Sequence, residues 1–306
     1  MKKKRAFRIL VTFAHYYKYD RIGFHSSRGN DPSVRVKALT NAIAALHGHF
    51  TGPALEYNYG ENVAQAANGE RHQLGIAICT TQQEHVVDML ELDRSLFLHH
   101  KTDTPPLELA IECRRVLANN VDNFDLLCFL EDDLVIHDPA FFEKILWFNS
   151  KVGDGAVLLP NRYEISVKHP FRKVYCDGEI SRTHSPIYWN DKGPPELKAN
   201  VFDREIKFRL ATNVHAGCYF VTQRQMKQWM QAPWFLSNEI GLIGPLESAA
   251  SQALMRSFAV YKPALDNADF LELQHDDDRF MRYYSGQPIN RVAEEDKGNI
   301  GQIGEG

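Results

Sequence analysis

Three consecutive acidic residues, Glu131, Asp132 and Asp133, carry the clearest chemical signal in the sequence. They follow an apolar, β-forming run at 125–129, which predicts a buried strand with the triplet at its carboxyl end. In open α/β sheets, ligands bind at that end of the strands. The three carboxylates repel one another, and no lysine or arginine close in sequence offsets their charge. The pattern therefore favours a divalent cation with oxygen ligands, Mg²⁺ or Mn²⁺, over an acidic turn in water.

The elements that must position this triplet alternate between strand-like and helix-like patterns. Continuous apolar runs predict buried strands at 8–13, 74–79, 125–129 and 155–160. Apolar residues at helical spacing predict helices at 31–46, 83–92, 104–118 and 138–147. This alternation predicts an α/β fold with a mostly parallel central sheet that is flanked by helices.

The second half of the chain is less regular. Residues 162–207 contain four prolines and little periodicity, which predicts an irregular insertion of loops and short strands. A strand at 214–222 and helices at 223–230 and 245–258 are predicted after it. In the first half, residues 51–70 are polar and are predicted to form an irregular connection.

This pattern predicts a single domain over residues 1–290. The change in regularity divides it into a first half at 6–150 and a second half at 151–290. Residues 291–306 are charged and rich in glycine, which predicts a flexible tail.

Composition narrows the classes of function. The chain has 35 Lys and Arg against 39 Asp and Glu, and its net charge of −4 disfavours nucleic-acid binding through a general basic field. No apolar run approaches the ~20 residues that a membrane-spanning helix needs. The basic residues at 2–5 leave open a weak peripheral contact with anionic lipids. Five cysteines without a CxxC pair are typical of reduced thiols, so we expect a cytoplasmic protein.

The segment FLEDDLVIHDPAFFEKI resembles the metal-binding segment of glycosyltransferases with the GT-A fold. Its Glu-Asp-Asp triplet is similar to that of N-acetylglucosaminyltransferases. The resemblance is strongest over residues 104–150 and extends more weakly over residues 6–280. It implies a GT-A-like fold and a transfer of hexose or N-acetylhexosamine from a nucleotide-sugar donor, UDP-linked by expectation. The implied acceptor is a glycan, a lipid-linked glycan or a small molecule. The resemblance also implies that residues 6–150 are a nucleotide-binding half and residues 151–290 an acceptor half.

The resemblance also implies the metal ligands. Asp133, the last acid of the triplet, would bind a Mn²⁺ or Mg²⁺ ion that bridges the diphosphate of the donor. Enzymes of this fold often take a histidine ligand from a late segment, and His275 in the run LQHDDD fits that place. Asp276 and Asp277 are alternative ligands. A cation would stabilise the charge that builds up as the nucleoside diphosphate departs.

Nucleotide contacts follow from the same resemblance. Asp132 would approach the ribose or the water shell of the metal, and Glu131 would help to hold the nucleotide. His15 and Tyr16 follow the first predicted strand, where such enzymes bind the base. Gly217, in the run NVHAGCY, would allow a sugar to approach closely, although a glycine there also suits a bulge.

One acid is implied as the catalytic base. Glu247 lies at the predicted start of a helix, where inverting enzymes of this fold place the group that deprotonates the acceptor. Glu239 is the second choice. An acid that favourably meets the helix dipole is the alternative interpretation of Glu247.

Two other classes of function remain open. A nucleotidyltransferase or a phosphatase can place acids at the end of a similar sheet. A non-catalytic module that binds a metal or a sugar would need the triplet but not Glu247, so substitutions of Asp133 and Glu247 separate an enzyme from a module.

Overall fold

The computed structural model describes residues 6–20, 28–67, 72–180, 191–239 and 248–284. The first strands in chain order are β1 (Arg8–Ala14), β2 (Lys18–Tyr19), β3 (Arg28–Gly29), β4 (Leu55–Asn58), β5 (Val63–Ala66), β6 (Gln73–Thr81), β7 (Leu98–Thr102), β8 (Leu126–Glu131) and β9 (Leu134–Val135). The later strands are β10 (Ala156–Leu158), β11 (Asn161–Ile165), β12 (Lys173–Tyr175), β13 (Glu196–Val201), β14 (Arg204–Leu210), β15 (Cys218–Thr222), β16 (Ala259–Pro263) and β17 (Glu272–His275). The α-helices are α1 (Ser33–Phe50), α2 (Leu109–Asn119), α3 (Phe141–Val152), α4 (Gln223–Trp229), α5 (Ala253–Met255) and α6 (Arg279–Tyr284).

The central sheet has the strand order β7–β6–β1–β8–β15. Strands β7, β6, β1 and β8 are parallel, and β15 runs antiparallel to β8. The strands β1 and β8 are almost entirely buried, as their continuous apolar runs predict. The α/β class and the mostly parallel central sheet are therefore present in the structure.

Two four-stranded sheets follow from the second half of the chain. Their strand orders are β10–β16–β14–β13 and β12–β11–β17–β9. The second of these sheets includes β9, the short strand directly after the acidic triplet, so it joins the two halves of the chain next to the triplet. One buried hydrophobic cluster runs from Ile9 to Leu273 and takes residues from both halves.

Several predicted elements differ from the observed ones. The predicted helix at 83–92 contains only a short 3₁₀ turn, Val87–Met89. The backbone here makes tertiary hydrogen bonds instead, because Tyr17 N donates to Glu84 O at 2.9 Å and Val86 N donates to the ring of His15. The predicted irregular connection at 51–70 contains the hairpin β4–β5.

The predicted insertion and last helix also differ in detail. The insertion at 162–207 contains β12 and β13 and parts of β11 and β14, with residues 181–190 outside the described part. The predicted helix at 245–258 is described only from Ser248 onward, as a π-helical turn at Ser248–Gln252 that leads into α5. The predicted tail at 291–306 lies outside the described residues. Within the described ranges, no helix combines the length and the apolar character needed to cross a bilayer.

Candidate functional site

The acidic triplet lies at the carboxyl end of β8, as predicted. Strand β8 ends on Glu131, which pairs with Ala14, the last residue of β1. The next residue of each chain segment, Asp132 and His15, therefore meet. Asp132 and Asp133 are buried, with 3% and 9% of their surface exposed. The two buried acids need partners, because an unpaired buried charge is very unfavourable.

An arginine that is remote in sequence supplies one of these partners. Arg35, in the first turn of α1, places Nη1 3.0 Å from Asp133 Oδ2, and its Nη2 donates to Asp132 Oδ1. The start of α1 is held by Asp31, whose Oδ1 accepts a hydrogen bond from Ser33 N at 2.9 Å. No basic residue lies close to the triplet along the chain, but Arg35 offsets its charge in the folded structure.

His15 is a neutral partner of Asp132. Its Nε2 accepts a hydrogen bond from Val86 N at 3.0 Å, so its proton resides on Nδ1, which lies 2.5 Å from Asp132 Oδ2. Complete burial, with the nearby charge of Arg35, lowers the pKa of His15 to about 3. Both ring nitrogens are therefore engaged within the protein, and His15 orients Asp132. The half-buried Tyr16 packs against the hydrophobic core.

His275 is a charged partner of Asp133. The register of β17 with β9 pairs His275 with Leu134, which brings its Nε2 to 3.5 Å from Asp133 Oδ2. Its Nδ1 donates to Glu164 Oε1 at 2.8 Å. Burial opposes the imidazolium, but the carboxylates of Asp133 and Glu164 outweigh it and raise the pKa of His275 to about 9.

Glu164 is a site residue that the sequence did not indicate. It is completely buried on β11, and its second oxygen, Oε2, accepts a hydrogen bond from Met281 N at 2.7 Å. A carboxylate that fixes the ring of a histidine is the usual support of a metal-binding histidine. Glu164 lies 111 positions from His275, inside the segment predicted to be irregular, so no local pattern identifies it.

The donor set suits a hard divalent cation. Asp133 Oδ1 is buried and has no hydrogen-bond partner among the described residues. Burial opposes ionisation of Asp133, but His275, Arg35 and Arg162 outweigh it and lower its pKa below the usual range. In the described part of the chain, no three His, Cys, Asp or Glu side chains can hold a metal by themselves. A Mn²⁺ or Mg²⁺ ion at Asp133 and His275 would have to take its other ligands from water and phosphate.

Glu131 belongs to a separate buried network. Arg162 Nη1 lies 3.5 Å from Glu131 Oε2, and Arg162 Nη2 donates to Asp177 Oδ1 at 2.8 Å. Lys262 is completely buried, lies 3.9 Å from Asp177 Oδ2 and donates to the carbonyl of His215. This network fixes the segment that leads into β15.

Gly217 approaches Glu131 rather than open space. Its φ is +62°, and a Cβ atom there would lie 2.5 Å from Glu131 Oε2. Its carbonyl accepts a hydrogen bond from Glu131 N at 2.8 Å. The positive φ and the close approach of Glu131 therefore explain why a glycine stands at position 217, independently of any bound sugar.

The proposed base Glu247 lies outside the described residues. Glu239, the second choice, is exposed and forms an ion pair with Arg256 at 2.6 Å. Asp276, the alternative metal ligand, accepts a hydrogen bond from Asn41 Nδ2 at 2.9 Å, and its backbone N donates to Asp133 O at 2.8 Å.

The structure thus brings together Asp132, Asp133, His15 and His275 from the predicted set. It adds Arg35, Glu164 and Arg162. No protein-family model matches this chain, and no characterised protein matches its sequence.

Proposed function

We propose that the chain is a glycosyltransferase with a GT-A-like fold that transfers a sugar from a nucleotide-sugar donor, UDP-linked by expectation. The acceptor in this proposal is a glycan, a lipid-linked glycan or a small molecule. The observation that carries the proposal is the pair Asp133 and His275 at the carboxyl edge of a mostly parallel sheet. This edge is where open α/β sheets bind ligands.

In this proposal Asp133 and His275 hold a Mn²⁺ or Mg²⁺ ion, and His275 releases the proton of Nε2 when the ion binds, because only a neutral imidazole nitrogen is a metal ligand. The ion supplies positive charge next to the departing diphosphate. Glu164 holds the ring of His275, so that Nε2 faces the same space as Asp133. His15 and Arg35 hold the side chain of Asp132, and Arg162 holds that of Glu131. In this proposal the two acids therefore line the nucleotide site in fixed positions.

The proposed reaction is inverting, with Glu247 as the base. This assignment rests on the resemblance described above and on the position of Glu247 before the π-helical turn at Ser248–Gln252. The five cysteines are buried and free, which fits a reducing compartment, and a cytoplasmic location is part of the proposal.

Calorimetric titration of UDP tests the proposal. We expect the purified protein to bind UDP in the presence of Mn²⁺ and to lose this binding in EDTA. Asp133→Asn should abolish the metal-dependent binding. Asp138→Asn is the matched control, because it removes one negative charge from the same segment, where the carboxylate of Asp138 contacts Lys144 at 2.6 Å and Ala140 N at 2.8 Å.

The outcomes separate the classes of function. Metal-dependent binding of UDP, followed by slow hydrolysis of UDP-sugars, supports a transferase. Metal binding at Asp133 without affinity for UDP, GDP or CDP would contradict it and would favour a binding module or a phosphatase.

A further inference from the structure

Arg35 occupies the carboxylate that the proposed cation needs. Its Nη1 contacts Asp133 Oδ2 at 3.0 Å, and the same oxygen faces His275 Nε2 at 3.5 Å. The side chain of Arg35 is 8% exposed, so little water screens its charge. A divalent cation at Asp133 would therefore meet the positive charge of Arg35 at short range. Arg35 and the cation compete for Asp133.

Asp132 would still hold Arg35 at the site after a cation had displaced Arg35 from Asp133. Arg35 Nη2 donates to Asp132 Oδ1, and the other oxygen of Asp132 is held by His15. The two contacts of Arg35 use different nitrogens of one planar group. A small rotation can therefore end the contact with Asp133 and preserve the contact with Asp132.

A guanidinium beside a divalent cation is suited to phosphate oxygens. Its planar donors match phosphate geometry, and it stays charged at any pH that the protein experiences. The diphosphate of a nucleotide sugar provides such oxygens next to the metal.

We propose that Arg35 is a positioning residue that exchanges partners: it neutralises Asp133 in the metal-free protein and turns Nη1 to the donor's diphosphate once a divalent cation occupies Asp133. This inference rests on the proposed function. It predicts that loss of Arg35 has opposite effects on the two ligands, which a purely structural role does not produce.

The test is a pair of titrations on Arg35→Met and Arg35→Lys. Without nucleotide, R35M should bind Mn²⁺ at least ~10-fold more tightly than the unsubstituted protein, because the competing charge is gone. With saturating Mn²⁺, R35M should bind UDP ~10-fold more weakly, because a charge-assisted contact with phosphate is lost. R35K keeps the charge and should stay within ~3-fold of the unsubstituted protein for Mn²⁺.

Stability provides an independent readout, because R35M leaves two buried carboxylates without their arginine. Added Mn²⁺ should raise the melting temperature of R35M more than that of the unsubstituted protein. Equal or weaker Mn²⁺ binding by R35M, with an equal or smaller rise in melting temperature, would overturn the exchange. Asp133→Asn separates this from failure of the proposed function: if D133N binds Mn²⁺ as tightly as the unsubstituted protein, the metal site itself is wrong.

Discussion

Asp132 and Asp133 are neighbours in the chain, share Arg35 and each contact a histidine, yet their surroundings differ. The partner of Asp132 is His15, a neutral ring with both nitrogens engaged. The partner of Asp133 is His275, a ring that carries a proton and is held by a second carboxylate. Asp133 also keeps one oxygen without a hydrogen-bond partner in the described structure.

The different surroundings of Asp132 and Asp133 indicate that the two acids have different roles. His15 comes from the end of β1 and is fixed by the core of the central sheet, so the Asp132 cluster is built for rigidity. His275 comes from β17 at the other end of the chain, so the Asp133 cluster forms only when both halves have folded together. Of the two acids, only Asp133 has a buried carboxylate oxygen without a hydrogen-bond partner in the described structure, which makes it the ligand in our account.

Substitution of the two acids should have the largest effects and should separate their roles. Asp133→Asn should reduce transfer at least ~1000-fold, because a metal contributes several kcal/mol to the stabilisation of the leaving group. Asp132→Asn should leave the metal ligand in place and lower the free energy of unfolding by about 3 kcal/mol, because Arg35 loses a buried anionic partner. Hydrolysis of UDP-sugars in Mn²⁺ and urea unfolding measure the two effects. A D132N variant that is stable but cannot bind metal would contradict this division.

His275 and His15 should affect the pH dependence of the free energy of unfolding in different pH ranges. The folded pKa of His275 is raised to about 9, so its contribution is fully present below the unfolded pKa of 6.5 and is lost as pH rises through 9. The folded pKa of His15 is lowered to about 3, so stability is lost as pH falls from 6.5 to 3.

Urea unfolding in EDTA checks these windows. His275→Gln should cost about 3 kcal/mol at pH 6 and little at pH 10, because the pKa of His275 is raised to about 9 in the folded protein. His15→Gln should weaken the acid-induced loss of stability and leave the alkaline range unchanged. If the free energies of unfolding of the two variants depended on pH in the same way, the different charge states assigned to His15 and His275 would be contradicted.

Glu164→Gln sharpens the comparison on the His275 side. It should weaken Mn²⁺ binding by roughly 10–100-fold, because the carboxylate that orients the ligand loses its charge. Glu112→Gln is a suitable control, since Glu112 likewise contacts a histidine, His100, at 2.9 Å. Unchanged Mn²⁺ affinity in E164Q would indicate that His275 is not a ligand.

Gly217→Ala should have the smallest effect and concerns Glu131, the third acid. Gly217 and Gly52 have nearly equal φ values of +62° and +65°, but only at Gly217 would a Cβ meet a neighbour, Glu131 Oε2. Gly52→Ala should therefore cost about 1 kcal/mol for the left-handed backbone alone. Gly217→Ala should cost about 1–2 kcal/mol more, since it must also displace the half-buried side chain of Glu131 from its ion pair with Arg162. Equal costs in urea unfolding would show that Glu131 moves away easily.

Local pattern predicts the central strands and the position of the triplet. Strands β1 and β8 are continuous apolar runs, and such runs indicate a buried parallel strand without any knowledge of neighbours. The helices α1, α2 and α3 also lie within or close to their predicted ranges, because their buried faces repeat at helical spacing. The predicted helix at 83–92 is wrong because its backbone is used by Tyr17 and His15, which is a tertiary effect.

The partners of the triplet are decided by register and not by local sequence. Arg35 lies 98 positions from Asp133 along the chain, and only the packing of the start of α1 brings the two together. Glu164 reaches His275 because β11 and β17 are adjacent and parallel. A single sequence contains no signal for such pairs, so the neutralising arginine and the supporting glutamate were missed.

The most direct test of the account is a crystal structure with Mn²⁺ and UDP, with manganese located by its anomalous scattering. The account predicts one manganese peak that is coordinated by Asp133 Oδ1 and His275 Nε2 and by the diphosphate of UDP. A peak that contacts neither side chain, or UDP bound away from the carboxyl end of β8, would contradict it.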